Sequence, residues 1–215
     1  GRKVRRRAIS AEAGVNAPAF SCFQGRGMLS RTQVINNGLR LISANLIADP
    51  DEDTESARQA KEVYGQVVRS ELEAHAWFFA KVQAALPANA TAPLFKFGRA
   101  YNLPADFVRL VELDGRWVFS SIRHVDVNPI PLYELHGRAI FTDLTAPLNI
   151  AYLRDMTSEP TAWTPLFGSV VSAALAVVLA MPLTKTEGIV SLAEKLYQKE
   201  LMRPKRSNAI HMPPQ

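Results

Sequence analysis

From Met28 onward, apolar and polar positions alternate in ways that name the elements. Ser30 followed three residues later by Gln33 has the form of a capping box. Behind it Val34, Ile35, Leu39, Leu41, Ile42 and Leu46 form an apolar stripe at helical spacing, which predicts a first helix ending near Ile47. A second stripe runs through Ala57, Ala60, Tyr64, Val67, Val68, Leu72, His75, Phe79, Val82 and Leu86, with all gaps but one of three or four residues, until Pro87. Unbroken from 54 to 86, that helix would be about 50 Å long at 1.5 Å per residue. A rod of that length outgrows a small core and predicts an assembly.

Between 88 and 155 the period shortens to that of strands. Phe107 to Leu113 and Trp117 to Ser120 flank Asp114-Gly115, and Leu132 to Leu135 and Arg138 to Thr142 flank His136-Gly137. Both dipeptides suit the positive φ of tight hairpin turns. Leu148 to Leu153 reads as a further strand, Asn128-Pro129-Ile130-Pro131 as a loop or edge, and Trp117 and Tyr133 as cross-strand packing. Helical character returns after Thr157, with Ser158 and Pro160 as start signals and a run from 166 to 181 that is nearly all apolar until Pro182. Sixteen residues interrupted by Gly168, Ser169 and Ser172 fall short of the roughly twenty a membrane span needs, so no span is expected. Ser169, Ala173, Ala176 and Ala180 form a small-residue stripe where a neighbouring helix would approach closely, and Leu175 belongs to the buried bulk. A last amphipathic helix is predicted from Glu187 to Met202, through Ile189, Leu192, Ala193, Leu196, Tyr197 and Leu201.

The fold class that follows is α+β: a four-helix bundle with a small antiparallel β-domain inserted between helices two and three, plus extended terminal arms. Its divisions are a basic arm over 1–27, the first two helices over 28–87, the β-rich insert over 88–156, the last two helices over 157–202, and a basic, Pro-containing tail over 203–215. Composition agrees: 47% hydrophobic and 21% charged over 215 residues is the balance of an ordinary globular chain. One cysteine, Cys22, excludes a disulfide framework and fits a reducing medium.

The formal charge of +5 changes the picture only when divided along the chain. Residues 1–27 hold six basic residues and one acid, residues 28–202 hold 16 basic and 19 acidic, and the tail adds three basic residues with no acid. A mildly acidic body thus carries two basic arms, whose Arg2, Lys3, Arg5, Arg6 and Arg7 at one end and Arg203, Lys205 and Arg206 at the other are candidate partner-binding residues, with Phe20 and Phe23 as a small apolar anchor. The 1–27 segment lacks periodicity and an apolar leader region, and reads as an extension upstream of Met28 that a partner surface would order.

Motifs for chemistry are sparse. Asp49 to Glu55 is rich in carboxylates, but a calcium loop needs a glycine at its sixth position and a glutamate at its twelfth, and both are missing. Glu71 and His75 lie one helical turn apart, which fits either a ligand or acid-base pair or a structural histidine beside Trp77; no third ligand stands at helical spacing. No Walker loop, nucleophile elbow or clustered His/Asp/Glu set occurs, and Gly25-Arg-Gly27 has neither a third glycine nor a preceding strand. The chain is therefore expected to be non-enzymatic, with no cofactor and no metal.

Five patches carry a resemblance. Glu71-Leu-Glu-Ala-His-Ala-Trp-Phe-Phe-Ala80 resembles the helix-end pattern, usually His-Pro-Trp-x-Phe-Ala, of the podoviral tail tubular protein A family of phage head-to-tail adaptors, with Ala76 in place of the proline. Tyr101-Asn-Leu-Pro-Ala-Asp-Phe-Val-Arg-Leu110 resembles that family's entry to its β-domain. Arg138-Ala-Ile-Phe-Thr-Asp143 with Leu148-Asn-Ile-Ala-Tyr152, Trp163-x-Pro-Leu-Phe167 and Ala180-Met-Pro-Leu-Thr184 resemble its strands and third helix. The likeness spans about Met28 to Leu201 in order, and residues 1–27 have no counterpart. It implies a structural virion protein of the neck, made in the host cytoplasm. Such a protein forms a homo-oligomeric ring, a dodecamer, between the portal protein and the tail nozzle protein, and genomic DNA passes through its channel without sequence-specific binding. The competing class is a nucleic-acid-binding protein acting through its basic arms.

Overall fold

A computed structural model describes residues 29–118 and 132–211, the last eight of these by backbone alone. It is a mixed helix and sheet fold with four helices and two antiparallel sheets. Helix α1 (Arg31–Leu41) starts as its capping box dictates: Ser30 Oγ accepts from Gln33 N at 3.1 Å, and Gln33 Oε1 accepts from Ser30 N at 2.9 Å. It stops at Leu41 rather than near Ile47. Ser43 turns left-handed (φ 56°), and the N–H groups of Ser43 and Ala44 close back on the carbonyls of Arg40 and Leu39 in a Schellman arrangement. Asn36 then bonds both the N–H and the C=O of Ile47, which holds the returning chain against the helix.

Helix α2 (Glu55–Ala74), capped by Thr54, also ends earlier than its stripe implies. His75 takes an extended conformation, and the Trp77 indole donates to the Glu71 carbonyl at 2.8 Å, satisfying one of the orphan acceptors at the helix end. After a 3-10 turn (Phe78–Ala80) the chain becomes strand β1 (Lys81–Leu86). The helix is therefore 20 residues and about 30 Å long, and the 50 Å rod from which an assembly was predicted does not exist. The β-region accordingly begins at Lys81, inside the segment read as helix.

The remaining strands are β2 (Arg99–Asn102), β3 (Phe107–Leu113), β4 (Arg116–Trp117), β5 (Tyr133–His136), β6 (Ala139–Thr142) and β7 (Leu148–Arg154). One sheet has the order β1-β7-β3-β4, the other β2-β6-β5. The Asp114-Gly115 turn has positive φ at both residues (50° and 76°), as a type I′ hairpin requires. In the second hairpin His136 pairs with Ala139, so the two-residue loop is Gly137-Arg138, one position later than expected, with Gly137 at φ 56°. Residues 119–131 lie outside the described residues, and the loop read at Asn128–Pro131 with them.

Helix α3 (Pro165–Thr184) starts at the Thr164 cap, after a 3-10 turn at Pro160–Ala162 that absorbs the earlier start signals. It passes through Pro182 instead of ending there and closes at Lys185, which is left-handed. Helices α1, α2 and α4 (Glu187–His211) all pack on α3, so that Leu175 and most of its length are buried. Among the described residues α3 is the one helix long and apolar enough to cross a bilayer, with mean hydropathy 2.2, and 56% of that stretch is buried within the fold. Of the small-residue stripe, Ala173, Ala176 and Ala180 are buried and Ser169 is exposed; α1 approaches closely at Ala176 and at Ser172, whose hydroxyl donates to the Val34 carbonyl of α1 at 2.9 Å.

A helical core and a sheet core share β3 and β7. Val111 and Leu153 point into the first, while Leu110, Leu113, Ile150 and Tyr152 point into the second, which lies between the two sheets with Tyr101 and Ile140. Trp117 and Tyr133, read as cross-strand packing, pack against these cores, Trp117 meeting Phe78 of the 3-10 turn in an edge contact.

Candidate functional site

The resembling patches fold as structural joints. Trp77 and Phe79 from the first and Trp163 and Phe167 from the fourth form one aromatic cluster, with ring centroids 4.8 to 5.0 Å from Phe167. Asp106 of the second accepts from the Tyr152 hydroxyl at 2.9 Å, and Arg138 of the third donates to the Pro104 carbonyl at 2.6 Å. Burial, together with this bond to Asp106, pushes the Tyr152 phenol up to about 12.

The candidate partner-binding residues are placed only in part. Arg2, Lys3, Arg5, Arg6, Arg7, Phe20 and Phe23 lie outside the described residues. Arg203 sits exposed on α4 and pairs with Glu200 at 2.8 Å. Lys205 and Arg206 fall on the backbone of the same helix, which runs through Pro204 to His211, so residues 203–211 are not the extended tail expected. The physical reason is that Arg and Lys are good helix formers and their charge favours a helix C-terminus.

The carboxylate run before α2 is consumed by local bonds. Glu52 accepts from the N–H groups of Ala48 and Asp49 and from Thr54 Oγ1, Asp51 pairs with Lys61, and Asp53 pairs with Arg58. Among the described residues no group of three or more His, Cys, Asp or Glu gathers as a metal site would require.

Glu71 is set apart from His75. The histidine leaves the helix and meets Trp77 edge-on at 6.2 Å, whereas Glu71 is buried, and its Oε1 accepts from the Tyr197 hydroxyl of α4 at 2.8 Å. Oε2 has no partner among the described residues. Burial raises the Glu71 carboxyl above its ordinary value, and burial with the bond to Glu71 pushes Tyr197 up to about 12. An acid raised in the folded state contributes stability that is complete below its unfolded value and is lost as pH rises through the folded one. We expect chemical denaturation to show the parent losing stability relative to Glu71→Gln as pH climbs from about 4.5 toward neutrality. Parallel stability curves for the two proteins would contradict it.

Of the exposed apolar residues, Leu94 and Phe95 were not singled out by the sequence reading, whereas Leu192, read as part of the apolar stripe of the last helix, is half exposed. Leu94 and Phe95, on the loop between β1 and β2, are 98% and 81% exposed, and Lys96 beside them is left-handed and paired with Glu134 of β5. Val178 and Met181 leave an exposed strip on one face of α3, and Leu192 and Met202 are exposed on α4. Single exposed apolar residues are common; Leu94 and Phe95 stand out as two adjacent large ones on one loop. Compared with protein-family models and with curated proteins, the chain matches none.

Proposed function

We propose that this chain is a structural adaptor of a phage neck, working as a closed homo-oligomeric ring between a portal and a tail nozzle, with DNA passing through its channel. The observation that carries the reading is the series of five patches from Glu71 to Thr184 resembling the tail tubular protein A family in the same order. On this reading the four helices constitute a bundle and the two sheets an inserted β-domain. Leu94-Phe95 and the exposed strip on α3 are the surfaces that neighbouring copies would cover, since heterologous contacts close into rings when the rotation permits. The body's slight negative charge suits a conduit that must not hold DNA.

Electron microscopy of the purified chain, alone and with portal protein, tests this. Rings sharing the portal's symmetry are expected, and Leu94→Asp/Phe95→Asp is expected to melt normally while failing to form them. Isolated copies or a two-fold dimer on the portal would refute the adaptor. The arms decide the competing class: removing residues 1–27 and replacing Arg203, Lys205 and Arg206 by Gln is expected to weaken portal assembly. If assembly is untouched while duplex-DNA binding disappears, with a log-log salt slope of about −0.9 per phosphate in the parent, the arms are nucleic-acid arms.

A further inference from the structure

Where α1, α2 and the segment joining β7 to α3 meet, the surface folds into a cleft of about 600 Å³, a size typical of small-ligand sites. Arg31, Lys61, Tyr64, Arg69, Asp155 and Ser158 line it. Two of its three cations are already matched: Lys61 pairs with Asp51 at 2.7 Å, and Arg69 Nε donates to Asp155 at 2.8 Å. Asp155 is itself held by the backbone N–H and hydroxyl of Thr157.

The third cation is different. The Arg31 guanidinium lies over the Tyr64 ring, 4.7 Å from its centroid, and both Arg31 Nε and the Tyr64 hydroxyl are buried without a hydrogen-bond partner among the described residues. Tyr64 is only 2% exposed and its ring stacks on Trp163, so the core fixes where the hydroxyl stands. Burial pushes its phenol up to about 12, which keeps the proton on it and makes it a donor at any physiological pH. Buried donors left unmade cost stability, and two of them on one contacting pair of residues that line a cleft mark the place of a missing acceptor.

We infer that this cleft binds a carboxylate, received by Arg31 and the Tyr64 hydroxyl once the guanidinium lifts from the ring. Three cations against Asp51 and Asp155 leave one net positive charge, which matches a monoanion. A phosphate dianion would carry one negative charge more than this balance offsets. The inference is independent of the adaptor reading and holds for a carboxylate borne by a peptide or by a small free acid.

Saturation-transfer NMR on the full chain tests it, with sodium acetate and N-acetyl-glutamate amide as probes and inorganic phosphate as a competitor. Saturable acetate binding is expected, weakened at least tenfold in Tyr64→Phe and in Arg31→Gln, while the melting temperature of Tyr64→Phe stays at or above the parent's. That last readout separates a ligand-binding hydroxyl from a structural one, because removing an unpartnered hydroxyl takes nothing from the fold. Tighter binding of the blocked glutamate than of acetate assigns the carboxylate to a peptide, and equal or weaker binding assigns it to a free acid; either outcome supports the site. Absence of saturable binding, undiminished binding by Tyr64→Phe, a lowered melting temperature in that variant, or displacement of acetate by phosphate at lower concentration would each overturn it.

Discussion

Leu175→Asp is expected to leave the chain unfolded. Leu175 is fully buried on α3, the helix on which α1, α2 and α4 all pack, with Gly38 of α1 directly against it. An aspartate there has no cation within the apolar cluster to pair with, and an unpaired charge in a low-dielectric core costs several kcal/mol even after local relaxation. Total stabilities of about 5 to 15 kcal/mol leave little margin for such a loss. Leu175→Ala, which removes only volume, is expected to cost about 2 to 5 kcal/mol and to remain folded. Circular dichroism melts of both variants check the pair. A cooperative, parent-like transition in Leu175→Asp would show that α3 is not the central element of the core.

The second large effect is expected at Gly38. A Cβ placed on this residue stands 2.8 Å from the Ser172 carbonyl oxygen and 3.3 Å from Leu175 Cβ. The first of these is backbone, which no side-chain rotation can move away, so α1 and α3 must separate to admit even a methyl group. That separation also stretches the Ser172 bond to Val34. Alanine would add about 1 kcal/mol of helix propensity, but overpacking of this kind costs about 1 to 3 kcal/mol and here disturbs a hydrogen bond as well, so Gly38→Ala is expected to be net destabilising. Gly65 in α2 supplies the contrast. Its Cβ would meet only Thr157 Cγ2 at 3.9 Å, an ordinary contact, so Gly65→Ala is expected to stabilise by about 0.5 to 1 kcal/mol. Urea denaturation of the two variants side by side measures the difference. A stabilised Gly38→Ala protein would mean that the helices are not in contact at this point.

The elements that were legible from residue order alone are those whose signal is local. Ser30 and Gln33 stand three residues apart and complete a cap between themselves. Asp114-Gly115 supplies both positive φ values that its hairpin needs, and the apolar run of α3 announces a helix buried on most sides. The ends of α1 and α2 were not legible. From His75 to Leu86 the apolar residues continue at helical spacing, yet the same residues satisfy a strand once a partner is present, and that partner is distant: Lys81 pairs with Leu153 and Leu86 with Leu148. Nor does the spacing reveal that Trp77 turns back to close the helix by bonding the Glu71 carbonyl.

The same division holds for the candidate sites. Basic arms can be counted from composition, but the contact of Arg31 with the Tyr64 ring exists only because α1 packs beside α2, and the bond of Glu71 to Tyr197 only because α4 brings that hydroxyl to it from 126 residues away. Leu94 and Phe95 read along the chain like any apolar pair; only the folded loop between β1 and β2 leaves both outside the core. Periodicity, caps and turn residues act within a few positions and so determine where most elements start and what type they are. Where an element stops, which polar groups are buried and which apolar ones are left outside depend on contacts between segments far apart in the chain, and only the assembled tertiary structure supplies those.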